Sequence, residues 1–258
     1  MADQQQGSDR RAHGAALRAA PLLSIEAVGK RFGGVIAVDH VTIEVQRGAI
    51  VGLIGPNGSG KTTLLNIVNG KEVPDYGRVR LDGIATRGRP PSELVARGLS
   101  RTFQSPRVFA TLSVRQNLFV PLLHHGALAR AAAAQRISEL LGLVGLEGCA
   151  DWLGDELSGG QQKLLEFARA LVSAPRMILM DEPFAGVHPQ VKQILIHAVR
   201  DTVTRTGASF LIISHEVPDL VALSDFMLCM VEGRVAASGH PSEVIRDEAV
   251  LEGYLGRG

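Results

Sequence analysis

The chain has 258 residues and a formal charge of +1, from 27 Lys and Arg against 26 Asp and Glu. Apolar residues are 45% and charged residues 21%, a balance that excludes disorder over most of the length and gives no electrostatic case for a nucleic-acid partner. No apolar run approaches the roughly 18–20 residues that span a bilayer, residues 1–20 lack the apolar stretch of a secretory signal, and two cysteines, Cys149 and Cys229, make no disulfide framework.

Met1–Pro21 reads as a disordered tail, with Gln4–Gln6 and scattered Ala and Gly. Folded structure is expected from Leu22. Leu23–Val28, Val41–Val45 and Gly77–Gly83 mix polar with apolar residues, the pattern of antiparallel strands with one wet face. Ile50–Ile54, Met177–Met180 and Phe210–Ile213 are continuous apolar runs, as in parallel strands buried on both faces. Between them, roughly Ser92–Leu165 is mainly helical in pattern. Its Ala-rich Leu128–Leu143 stretch sets Ile137, Leu140 and Leu141 on one stripe. The chain is therefore predicted to be an α/β nucleotide-binding core interrupted by a helical insertion.

Gly55-Pro-Asn-Gly-Ser-Gly-Lys-Thr62 matches G-x-x-x-x-G-K-[ST] in full, after a buried strand and before an apolar stretch that can start a helix. Glycines let successive N–H groups curl round phosphate oxygens, and the helix N-terminus adds a positive dipole end. The predicted phosphate-binding residues are Gly55, Pro56, Asn57, Gly58, Ser59, Gly60, Lys61, Thr62 and Thr63. Lys61 is placed on the β- and γ-phosphates, the Thr62 hydroxyl on Mg²⁺, and Thr63 near the α-phosphate. Met177–Asp181-Glu182 is the matching half, an apolar strand ending in two carboxylates. Asp181 is expected to hold Mg²⁺, and Glu182 to take a proton from the water that attacks the γ-phosphate.

Leu157-Ser-Gly-Gly-Gln161 lies between these halves. With it the chain resembles the ATP-binding subunits of ABC (ATP-binding cassette) transporters over nearly its whole ordered length. The resemblance implies an α/β fold of the P-loop NTPase kind: a RecA-like core with an antiparallel β layer and an inserted α-helical subdomain. The expected division is a core over 22–103 and 166–240, a helical subdomain over 104–165, and a C-terminal extension over 241–256. It also implies ATP and Mg²⁺ as ligands.

By position, Phe32 resembles the aromatic that stacks on adenine; the other reading is a core Phe between two strands. Gln104, in Arg101-Thr-Phe-Gln104, resembles the glutamine that touches Mg²⁺ and the attacking water. His215, in Ile212-Ile-Ser-His215, resembles the switch histidine that contacts the γ-phosphate. Ser158 can cap a helix from about Gly160 to Ala174, ended before Pro175. With Gly159, Gly160 and Gln161 it forms a bare helix start that in the family closes on the γ-phosphate held by a second cassette. His188 stands where most of the family has Asp, which puts communication between the two sites in doubt.

Val28–Gly34, Gly98–Gln104 and Glu252–Gly256 look like the ATPases of branched-chain (hydrophobic) amino-acid importers, with urea importers and lipopolysaccharide-export ATPases as alternatives. A soluble ABC ATPase fits less well, since such proteins usually carry two cassettes or long coiled-coil arms. The partners so implied are two transmembrane permease subunits, a second ATP-binding subunit and, indirectly, a periplasmic solute-binding protein. The implied location is peripheral, on the cytoplasmic face of the bacterial inner membrane.

Overall fold

The computed structural model describes residues 20–124 and 130–255, so the tail expected over 1–21 falls almost wholly outside the described residues, as do Leu128 and Gly256. The strands are β1 (Leu23–Phe32), β2 (Val35–Val45), β3 (Ile50–Ile54), β4 (Tyr76–Leu81), β5 (Ile84–Ala85), β6 (Leu99–Arg101), β7 (Met177–Asp181), β8 (Ser209–Ile213), β9 (Phe226–Val231) and β10 (Arg234–Gly239). The helices are α1 (Lys61–Val68), α2 (Pro91–Ala96), α3 (Val114–Phe119), α4 (Arg130–Val144), α5 (Gly159–Leu171), α6 (Pro189–Thr206), α7 (Val217–Leu223), α8 (Pro241–Val244) and α9 (Glu248–Leu255).

The two kinds of strand build two sheets. The alternating strands form an antiparallel sheet in the order β2-β1-β4-β5, and the apolar runs form a six-stranded sheet in the order β10-β9-β3-β8-β7-β6. Within the second sheet β9, β3, β8, β7 and β6 run parallel, with β10 antiparallel at one edge. Successive side chains of a strand face opposite ways, and here each face has its own core. Ile50 and Ile54 join Phe167, Leu195, Phe210 and Leu220 under α5, α6 and α7. Their neighbours Val51 and Leu53 join Leu64, Leu65, Ile25 and Ile43 under α1 and the antiparallel sheet. Covering both faces leaves β3, β7 and β8 wholly buried, which is why those runs carry so little polarity.

Four strands, β5, β6, β9 and β10, are not read as strands from the sequence, and two of them show why. β6 lies inside the stretch that reads as helical, and three residues are too few to show a period of two. It is fixed by parallel pairing to β7, Arg101 facing Leu179. β10 has no strong strand composition. It follows from the Glu232-Gly233 turn, both residues at positive φ, which folds the chain back on β9. α5 runs through residue 165, so the helical insertion and the core share one helix.

The antiparallel sheet is pinned beside the phosphate loop by one hub. Asp39 accepts from the Tyr76 hydroxyl at 2.7 Å and from Arg234 Nε at 2.8 Å. These bonds, Tyr76 first, hold its carboxyl far below the usual range. The Tyr76 ring lies where a side chain at residue 29 would be: a Cβ on Gly29 would fall 1.9 Å from its Cζ. The β9–β10 turn completes the pin, with Gly233 N donating to Ser59 O at 3.1 Å and Asp39 N donating to Gly233 O at 2.8 Å.

Candidate nucleotide site

Gly55–Gly60 loops from the end of β3 to the start of α1. Gly60 has φ +100° and passes so close to β2 that a Cβ there would lie 2.1 Å from Ala37 O. Only glycine meets both conditions. Lys61 is 6% exposed, and its ammonium donates to Gly55 O at 2.7 Å and Pro56 O at 2.9 Å. Burial pulls its pKa below the usual lysine value, while the Glu182 and Asp181 charges act the other way. The ammonium is thus held at the loop's centre by weakly competing carbonyls, ready for stronger acceptors.

A cavity of about 260 Å³ gathers residues from five places in the sequence: Asn57–Thr63, Gln104, Asp181 with Glu182, Ile213 with His215, and Val35 with Ala37 of β2. Among the described residues, Lys61 is the one lysine or arginine in its lining. A larger cavity, about 440 Å³, lies on the outer side of the loop against α9. Its charged lining residues are Glu232 and Glu252, the wrong sign for phosphate, so the smaller cavity is the candidate site.

Glu182 follows β7 at φ +53°, a left-handed conformation that costs a non-glycine residue roughly 1–3 kcal/mol. Its backbone is held from two sides. Glu182 N donates to Ile213 O at 2.9 Å, and Lys163 Nζ of α5 donates to Glu182 O at 3.2 Å and Ala185 O at 2.6 Å. The carboxylate accepts from His215 N at 3.0 Å through Oε2. Oε1 lies 3.2 Å from His215 Nε2, yet it is buried with no well-directed hydrogen bond among the described residues. A buried acceptor of this kind on the cavity wall suits a water proton.

Asp181 is 5% exposed and its Oδ2 accepts from Arg101 Nη2 at 3.1 Å. Asp181, Thr62 and Gln104 line the same cavity, three residue types whose side chains carry oxygen that a hard cation accepts. No group of three or more His, Cys, Asp or Glu makes a cage among the described residues.

Phe32 sits at the β1–β2 hairpin, 46% exposed, with Lys30 Nζ 5.4 Å from its ring centroid. It is not a core side chain, and the cavity begins at Val35 beyond it. Ser158, Gly159, Gly160 and Gln161 do not line the cavity. They open α5 with a capping box: Ser158 Oγ accepts from Gln161 N at 3.3 Å, and Gln161 Oε1 accepts from Ser158 N at 3.0 Å. His188 caps α6, its Nδ1 accepting from Gln190 N at 3.3 Å.

Arg101, Asn66, Lys163, Glu166 and Arg169 were not legible as site residues. The last two fasten the Gln104 segment to α5. Glu166 Oε1 accepts from Arg107 N at 3.2 Å, and Arg169 Nη2 donates to Arg107 O. Burial pushes the Glu166 carboxyl up, against the backbone N–H groups of Arg107 and Phe103.

Fold and site together define a phosphate-loop nucleotide-binding protein. The pattern of the ABC transporter family matches residues 38–185. The chain is 38% identical over 228 residues to the Fe(3+) ions import ATP-binding protein FbpC of Streptomyces avermitilis, covering 88% of this chain and 65% of that protein. It is 33% identical over 246 residues to the probable branched-chain amino acid transport ATP-binding protein LivG of Archaeoglobus fulgidus, covering 91% of this chain and 95% of that protein. The ADP conformation of MJ1267, an ATP-binding cassette of an ABC transporter, superposes with a TM-score of 0.82 at 33% identity, over 93% of this chain and all of that one. A dimeric post-hydrolysis state of the cassette MJ0796, bound to ADP and Pi, gives 0.77 at 25% identity, over 85% of this chain and 98% of that one. The chain belongs to the ABC transporter family, as one of its ATP-hydrolysing cassettes.

Proposed function

We propose that the chain is the ATP-hydrolysing subunit of an ABC importer for branched-chain or other hydrophobic amino acids. One observation carries the hydrolytic part: a single cavity holds Lys61, Gln104, Asp181, Glu182 and His215. Lys61 exchanges loop carbonyls for β- and γ-phosphate oxygens. Thr62, Asp181 and Gln104 would hold Mg²⁺, which would neutralise charge on the phosphates. Glu182 orients the attacking water and takes its proton, and His215 approaches the γ-phosphate from the end of β8. Phe32 offers adenine a stacking face. Ser158, Gly159, Gly160 and Gln161 meet the γ-phosphate of a second cassette.

The amino-acid cargo is supported by likeness to LivG through 95% of that protein, where likeness to FbpC stops at 65%. No helix among the described residues is long and apolar enough to cross a membrane. By likeness to the importer ATP-binding proteins, the proposed setting is peripheral, at the cytoplasmic face of the bacterial inner membrane, on two permease subunits fed by a periplasmic solute-binding protein. The test is purification from detergent-solubilised membranes. Two co-purifying membrane subunits, with ATPase activity raised by a hydrophobic amino acid and its binding protein, are expected. A chain recovered with no membrane partner would overturn the transport reading, and stimulation by a metal ion or sulfate instead would overturn the cargo.

A further inference from the structure

Arg101 is buried at the end of β6, and its guanidinium reaches two elements at once. Nη2 donates to Asp181 Oδ2 at 3.1 Å, and Nη1 donates to Asn66 Oδ1 at 2.7 Å. Both partners of the ion pair are 8% exposed at the side chain. Asn66 is on α1, four residues after Thr62, and therefore on the same helical face. Asp181 ends β7. The strand that carries Arg101 is itself fastened to β7, with Thr102 N donating to Leu179 O at 2.9 Å, and three residues past Arg101 comes Gln104. Thr62, Asp181 and Gln104 come from three separate parts of the chain, and the side chain of Arg101 or its own strand ties each of them to the others.

We propose that Arg101 is the positioning residue of the divalent-cation site, a brace that fixes the span between Thr62 on α1 and Asp181 on β7. The inference rests on the metal reading given under Proposed function and adds to it. The guanidinium suits the task because it is a rigid planar fork whose two ends serve two acceptors; a lysine ammonium has no fixed fork. Arg101 is not among the residues lining the nucleotide cavity. It acts through Asp181, whose carboxylate it holds by one oxygen, so that the carboxylate presents one orientation to the cavity. Partners that orient a metal's ligands in this way are commonly worth 10–100-fold in metal affinity.

The experiment reads metal binding and needs no turnover. The full chain, loaded with a non-hydrolysable ATP analogue, is titrated with Mn²⁺ by electron paramagnetic resonance, and analogue binding in EDTA is measured by calorimetry. For Arg101→Gln the half-saturating Mn²⁺ concentration should rise about 10–100-fold, with analogue binding in EDTA changed less than about twofold. Arg101→Lys should fall between this variant and the wild type. Asn66→Ala, which keeps the buried ion pair and removes the α1 end of the brace, should shift Mn²⁺ in the same direction by a smaller factor. If Arg101→Gln does not fold, Asn66→Ala decides alone. Unchanged Mn²⁺ affinity in these variants, with loss in Asp181→Asn, overturns the brace and leaves Arg101 a plain ion pair. Unchanged affinity in Asp181→Asn as well overturns the metal reading and the brace with it.

Discussion

The N-termini of α1 and α5, both proposed above to meet phosphate, are enclosed to different degrees. At α1 the helix start is enclosed. Lys61 is buried beneath it, Asp181, Glu182 and His215 face it, and β2 presses on Gly60. At α5 the start has its capping box, but a Cβ added at Gly159 would meet no neighbouring atom within 4 Å. The first is enclosed by side chains of this chain itself. The second is open among the described residues, and under the head-to-tail pairing proposed above it would face the nucleotide of the other cassette.

The strongest way to break this contrast is to damage the complete site. Lys61→Ala should abolish measurable turnover and weaken Mg-ATP binding, since among the described residues the cavity lining holds no other lysine or arginine. Retained nucleotide affinity by calorimetry would contradict its role. Next in size, Glu182→Gln should slow hydrolysis about 10²–10⁴-fold while nucleotide still binds. Single-turnover assays with ATP separate the two effects.

The incomplete site is probed in that slow background. Gly159→Asp places a carboxylate on the open face of the α5 start, so ATP-dependent dimers seen by sedimentation should disappear, with monomer nucleotide affinity kept within about twofold. Gly160 is the poorer probe, because a side chain there would meet Val191 Cγ2 at 3.0 Å within the same chain and disturb α6. Dimers of equal abundance in ATP and ADP would erase the distinction between the two helix starts.

A smaller effect is expected where the Gln104 segment reaches the surface. Val108 packs against the main core and is unsuitable as a surface probe, whereas Phe109 is 45% exposed. Phe109→Asp should leave the ATPase of the isolated chain within about twofold and weaken the stimulation by membrane partners. Full stimulation would move the docking surface away from this segment.

The smallest effect concerns Glu166. Its folded-state pKa is raised by burial, so its share of stability is present at low pH and is lost as pH climbs through the raised value. Glu166→Gln does not titrate. Relative to the wild type it should gain stability as pH rises from the ordinary carboxylate range through the raised value, read from thermal unfolding on both sides of that range. A gap that stays constant with pH would remove burial of the charge as the cause.

What could be read from the sequence follows how far apart the cooperating residues lie. The phosphate loop and Asp181-Glu182 are contiguous and flanked by apolar runs, so motif and strand reinforce each other. Gln104 and His215 depended on resemblance for their roles, because a lone Gln or His after a strand has no local signature. The Arg101–Asp181 contact joins residues 80 apart and Arg101–Asn66 residues 35 apart; nothing in either neighbourhood marks the partner. β6 was hidden for a different reason: its three residues owe their conformation to the partner strand and little to their own pattern.

Gly29 and Tyr76 constrain how this chain can change over generations. While the tyrosine ring fills the space beside residue 29, alanine there overlaps the ring and makes it swing aside. That movement breaks the Tyr76 hydroxyl's hydrogen bond to Asp39. The two positions are therefore coupled through the hub: alanine at 29 costs most while tyrosine stands at 76, and less once residue 76 is small.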